Sequence, residues 1–118
     1  MKQRDVRAFL WDIVQACDVL QQISEERTYE DYATDIRLRW SVERGFEILA
    51  EALRNILDAE PELAGRITDP EGIIGFRNRI AHEYWRIMSV MVWGVMGSDV
   101  SVLKREVRAI LDEMPPPE

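Results

Sequence analysis

Cysteine occurs once in the 118 residues, at Cys17, and histidine once, at His82. A single thiol excludes an intramolecular disulfide and a thiolate zinc cluster, and it fits a reducing compartment. With one imidazole and one thiol, a metal site would have to be built from carboxylates, so neither metal nor cofactor is expected. Helix breakers are also scarce: there are six Gly and five Pro, and Pro115, Pro116 and Pro117 crowd the C-terminal end. A body so poor in breakers favours helices. No apolar run approaches the roughly 20 residues that a membrane span needs; the longest is Ile87 to Gly97. The first residues, Met1-Lys2-Gln3-Arg4-Asp5, lead into a charged amphipathic segment without the apolar core of a signal peptide, and a cytoplasmic location is therefore expected. Positive charge is the last shortage. Fifteen Lys and Arg against 22 Asp and Glu leave a net charge of -7, which excludes indiscriminate binding to a phosphate backbone.

What is present reads as a single domain over residues 1–118, all-α, an antiparallel bundle of four to five helices. Val6, Leu10, Ile13, Cys17 and Leu20 recur at spacings of three and four, which places one apolar stripe on a helix from about Lys2 to Glu26 and puts Cys17 in the core. Thr28 followed by Asp31 predicts a capping box that opens a second long helix, continued by Val42, Phe46, Leu49, Leu53 and Ile56. Asp58 to Gly65 has the composition of a loop. Asp69 and Pro70 supply an N-cap and a proline at the first helical position, predicting a third helix from Pro70 to about His82. A short apolar helix follows over Ile87 to Met96, with Met88, Met91, Trp93 and Met96 filling core or a dimer interface. Ser98 or Asp99 caps a last helix through Val102, Val107, Ile110 and Leu111. Nothing has the period of two that marks a strand.

Charge is unevenly spread. Acid gathers in Glu25, Glu26, Glu30, Asp31 and Asp35 and again in Asp58, Glu60 and Glu62, whereas Ile36 to Leu57 and Arg66 to Arg86 come out slightly basic. If these two stretches meet in space, they can form a local anion site on an acidic protein.

The segment Gly75 to Trp85 differs from its surroundings because it sets the only histidine among arginines and beside an aromatic pair. Arg77 can clamp a phosphate through its planar fork, a histidine such as His82 can move protons near neutral pH, and Tyr84 is a phenol that can donate or accept. Helical geometry limits their cooperation. Positions 77, 81 and 84 share a face, but His82 lies about 140° around an ideal helix from Arg77. Asn78 and His82 are neighbours instead. Either the helix ends near Ala81 and turns His82 back, or Arg and His act together with copies from another chain. Arg79 and Arg86 read as solvated. A bland alternative is that His82 merely caps a helix end.

The string Arg77-x-x-x-x-His82-x-Tyr84 resembles the signature of HEPN domains, specifically of the HepT-like toxins paired with small nucleotidyltransferase antitoxins. Its context is similar as well: a polar Asn78 follows the arginine, Trp85 and Trp93 follow the motif, and Glu51-Ala52 lie in the apolar stretch of the preceding helix. The resemblance spans nearly the whole chain. It departs from the family where an acidic residue often follows the motif, since Met88 and Ser89 stand there instead. The resemblance implies a homodimer with the active site in the cleft between protomers, Arg77 and His82 as catalytic residues supported by Asn78, metal-independent cleavage of RNA, and neutralisation by a nucleotidyltransferase that transfers AMP to Tyr84. Two readings compete with a ribonuclease toxin: a non-cleaving module that presents a nucleotide or RNA to that partner, and a plain helical dimerisation protein.

Overall fold

A computed structural model describes residues 5–82 and 85–115, and for Trp85, Arg86 and Ile87 the backbone alone. Its elements are α1 (Val6–Glu26), α2 (Tyr29–Thr34), α3 (Ile36–Ala59), a 3-10 turn (Pro61–Arg66), α4 (Pro70–His82), α5 (Trp85–Gly97) and α6 (Asp99–Glu113). Among the described residues there is no strand, as the uninterrupted helical period requires. No described helix is long and apolar enough to cross a membrane.

The apolar stripes become the core. Leu10, Ile13, Cys17 and Leu20 of α1 are sealed from solvent, as are Val42, Leu53 and Ile56 of α3 and Val107 of α6. Burial also pushes the Cys17 thiol up to about 12, so it serves as a small apolar group. A 24-residue α3 is roughly 36 Å long, and the six-residue α2 can return the chain only to the end of α1 that it just left, so α1 and α3 pack antiparallel. Gly45 is what lets them approach: a Cβ there would lie 2.9 Å from Leu20 Cδ2. α6 lines the other side of α1, also antiparallel, since Lys104 pairs with Asp18, Arg108 lies 5.3 Å over the Trp11 ring and Arg7 donates to the Pro115 carbonyl.

Three local expectations are corrected. The long second helix is two helices, because Asp35 ends α2 and begins α3: its N–H reaches the Asp31 carbonyl while its carboxylate accepts from the Arg37 and Leu38 amides at 2.9 and 3.4 Å. A short acidic side chain that bonds the following amides competes with helix continuation. Among the described residues the all-α bundle holds six α-helices, the split at Asp35 adding the short α2. The supposed loop of Asp58 to Gly65 is mostly helical, since α3 runs to Ala59 and Pro61 starts the 3-10 turn that buries Leu63. Ser98 occupies the N-cap position of α6, but its hydroxyl bonds the Gly94 carbonyl and Asp99 Oδ1.

Other local readings stand. The Thr28–Asp31 capping box is reciprocal. Asp69, at φ 48°, accepts from the Gly72 amide at 3.1 Å, and a side chain at position 72 would collide with its carboxylate. The first helix begins after its N-cap Asp5; its expected start at Lys2 lies outside the described residues.

Candidate functional site

The expectation for α5 is met on its core side. Met88, Ser89, Val92 and Met96 are buried, and Trp93 stacks on Tyr32 at 5.7 Å and meets Tyr29 edge-on at 6.4 Å. Ser89, which stands where the resemblance leads one to look for an acid, exchanges a 2.9 Å hydrogen bond with the Tyr29 phenol. It ties α5 to α2. Val90 and Met91 remain exposed.

α4 runs against α3 and is pinned by an edge-to-face contact of Phe46 and Phe76, with centroids 5.3 Å apart at 75°. Beyond that contact, toward the C-terminal end of α4, lies a cleft of about 210 Å³ lined by Glu43, Glu47, Arg77, Asn78, Ile80, Ala81 and His82. Arg77 and His82 thus border one space within a single chain, despite their separation around the helix. The described part of α4 runs to His82, and Asn78 also lines the cleft. Arg77, Asn78 and His82 are all exposed, and Arg77 Nη1 is 3.5 Å from Asn78 Oδ1. Arg79 points elsewhere, toward Met91 Sδ at 3.7 Å. Tyr84 and the side chain of Trp85 lie outside the described residues.

The two slightly basic stretches do meet, because α3 packs on α4. What α3 offers the cleft, however, is Glu43 and Glu47 rather than its arginines. Arg44 is engaged with Glu47 at 3.2 Å, and Arg37 is almost fully exposed. At this cleft positive charge comes from α4, and negative charge faces it from α3. Burial raises the Glu43 carboxyl above its usual range, with Arg39 opposing the shift and Glu47 adding to it. Sequence reading missed both acids, having counted them only against the arginines. The available signal was their spacing of four, which sets them on one helix face. Among the described residues no group of three or more His, Cys, Asp or Glu is placed to hold a metal ion.

Chemically, the cleft holds a guanidinium, an imidazole, an amide and a partly buried carboxylate. The profile of the family described as Ribonuclease HepT-like matches residues 13–110, a span that includes the whole Arg77-to-Tyr84 motif. Among curated proteins, one of Methanocaldococcus jannaschii, provisionally named an RNase, is 30% identical over 110 residues, covering 93% of this chain and 100% of that protein. Another of Caldanaerobacter subterraneus, also provisionally named an RNase, is 27% identical over 107 residues, covering 91% and 95%. One of Thermococcus cleftensis named "Probable ribonuclease HepT" is 26% identical over 102 residues, covering 86% and 92%. No solved structure matches the chain. With Arg77, Asn78 and His82 lining one cleft of an all-helical bundle and the family profile matched across most of its length, this chain belongs to the HepT-like ribonuclease family.

Proposed function

We propose that the protein is a metal-independent endoribonuclease toxin that cleaves RNA at a cleft shared by two copies of the chain, using Arg77 and His82 with Asn78 in support. The observation that carries this reading is the convergence of Arg77, Asn78 and His82 on one cleft. In the reaction the 2′-oxygen attacks the adjacent phosphorus, the bond from phosphorus to the 5′-oxygen breaks, and a 2′,3′-cyclic phosphate and a free 5′-hydroxyl result. A base takes the 2′-OH proton, an acid supplies one to the leaving oxygen, and a cation balances the phosphorane. Arg77 is the cation. Asn78 can hydrogen-bond the phosphate or hold the arginine. A chain with one histidine has one imidazole for two proton transfers, and a two-fold dimer brings a second His82 to act as the other partner. Single-stranded RNA suits a cleft open to solvent, since its backbone can reach an exposed Arg and His without unwinding. Incubating purified protein with single-stranded RNA and following cyclic-phosphate ends tests the activity; intact RNA bound without cleavage would favour the non-cleaving module instead.

A homodimer is expected in solution. Its support has moved from the α5 run, whose inner face the chain itself covers, to other large apolar side chains left exposed: Trp11 (51%), Ile36 (49%) and Trp40 (63%). Covering side chains of this size with a second copy would be favourable. Light scattering at micromolar concentration checks this, and a strict monomer with full activity would remove the shared-cleft mechanism.

Neutralisation is proposed to come from a nucleotidyltransferase partner that moves AMP from ATP to Tyr84. The phenol oxygen bonds to the α-phosphorus, pyrophosphate leaves and the phenol proton is released. Tyr84 follows His82 by two residues, so an added nucleotide brings a phosphodiester anion near the arginine that would bind the RNA phosphate. On co-expression with such a partner, intact mass is expected to rise by one or more AMP units that map to Tyr84 and vanish in Tyr84→Phe. Full neutralisation of Tyr84→Phe would show inhibition by occlusion instead.

A further inference from the structure

We infer that Glu43 is a further catalytic residue of the cleft: its carboxylate takes the proton of the RNA 2′-OH, leaving His82 to protonate the departing 5′-oxygen. This role rests on the ribonuclease reading and supplies, from the same chain, the second proton-transfer group that a single histidine does not provide. Glu43 comes from α3, whereas Arg77, Asn78 and His82 come from α4, and all four line one cleft. Base and acid serve oxygens on opposite sides of the phosphorus, so they must stand apart across the bound phosphate and not bond to each other. Groups carried by the two helices that wall a cleft can meet that requirement.

The Glu43 carboxylate differs from its neighbours in what it leaves unbonded. Half-buried Glu47 is engaged by Arg44, and half-buried Glu106 accepts from the amide and the hydroxyl of Thr68. Glu43 is half-buried too, yet among the described residues it has neither a hydrogen bond nor an ion pair. On its own helix Arg39 favours the ionised form, while Glu47 and burial oppose it. The Tyr32 phenol of α2 is within electrostatic reach, and Arg77 and His82 of α4 border the same space. Burial prevails and holds the carboxyl above its usual range, which makes the carboxylate a better base. A partly buried charge without a bonded partner disfavours folding, and a negative wall facing Arg77 disfavours RNA binding. Proton transfer gives such a carboxylate a task.

The step balances within one chain. The carboxylate removes the 2′-OH proton as the 2′-oxygen bonds to phosphorus, and the 5′-oxygen leaves with the proton that His82 carries. Glu43 is left protonated and His82 neutral, and exchange with water resets both. The transfer for which a second copy's imidazole is the other candidate then falls to Glu43.

Cleavage of single-stranded RNA, measured from acid to alkaline pH for the unsubstituted protein, Glu43→Gln and Glu43→Ala, tests this. Glutamine fills nearly the same volume but does not accept the proton, so both variants should lower kcat by about 10²-fold or more. KM should stay unchanged or fall, since a negative charge has left the cleft. The base works ionised, so the rate of the unsubstituted protein should decline as pH drops through the raised value of this carboxyl. That acid limb of the kcat/KM profile should be absent in both variants, with helical content by circular dichroism unchanged. Glu43→Gln cutting RNA near the unsubstituted rate would overturn the assignment. So would an acid limb that persists in Glu43→Gln, the result expected if two imidazoles share both transfers. An unsubstituted protein that cuts no RNA would overturn the ribonuclease reading itself.

Discussion

Alanine at His82 or at Arg77 is expected to reduce RNA cleavage by about 10²-fold or more, the usual scale for removing a proton-transfer group or a donor that stabilises developing charge, while leaving the helical content unchanged. Both side chains are exposed and lie along the outer rim of α4, so neither substitution removes core contacts. α4 stays docked through Phe76 and the buried Ile74. Far-ultraviolet circular dichroism and the cleavage rate should therefore dissociate. The two losses need not add, because a clamp and a proton carrier working on one phosphate act as a unit. If His82→Ala protein cut RNA at the unsubstituted rate, the assignment of the site would fail whatever the family.

The largest effect on stability is expected where α1 and α3 come closest. Leu20 is fully buried and its branched end fills the space left open by Gly45. Leu20→Ala should cost about 3 kcal/mol, from lost transfer energy and the cavity left behind, which for a domain of this size lowers Tm by roughly 10 °C. Gly45→Ala has two opposed terms. Replacing a mid-helix glycine is worth about 1 kcal/mol, but the new methyl would lie 2.9 to 3.3 Å from three carbons of the fully buried Leu20 side chain. The overpacking term, about 1 to 3 kcal/mol, should win, and Gly45→Ala should destabilise. In a Leu20→Ala background the same methyl enters vacated space, so its sign should reverse and the substitution should stabilise. Urea unfolding of both single variants and the double variant checks this as a cycle. Simple additivity would show that close approach at Gly45 is not what joins the two helices.

Much of the fold was legible before any coordinates. Apolar residues three and four apart fix where a helix is and which side faces inward, because that periodicity is a property of one helix alone. Leu10, Ile13, Cys17 and Leu20 illustrate it, as do Phe46, Leu49, Leu53 and Ile56. Local chemistry was equally readable at Thr28–Asp31 and Asp69–Pro70, where side chain and amide are only a few residues apart. Asp35 gave no such signal, because nothing in an apolar stripe reveals that one carboxylate has taken two amides from the helix. At Pro61 the breaker was visible, but not that Leu63 behind it would be buried, since that depends on how the turn packs back on α3.

The motif belongs to the first kind of information and its surroundings to the second. Arg77, Asn78 and His82 are a pattern within one segment, and the sequence by itself determined that they share a helix and how far apart they lie around it. What stands opposite them was decided only by the register of α3 against α4. That register shows in the Phe46–Phe76 contact, packing between residues far apart in the chain. A charge count over α3 gives equal weight to arginines and glutamates, but a docked helix shows its neighbour only one face. The face turned to the motif carries Glu43 and Glu47, which no periodicity on α4 could have specified.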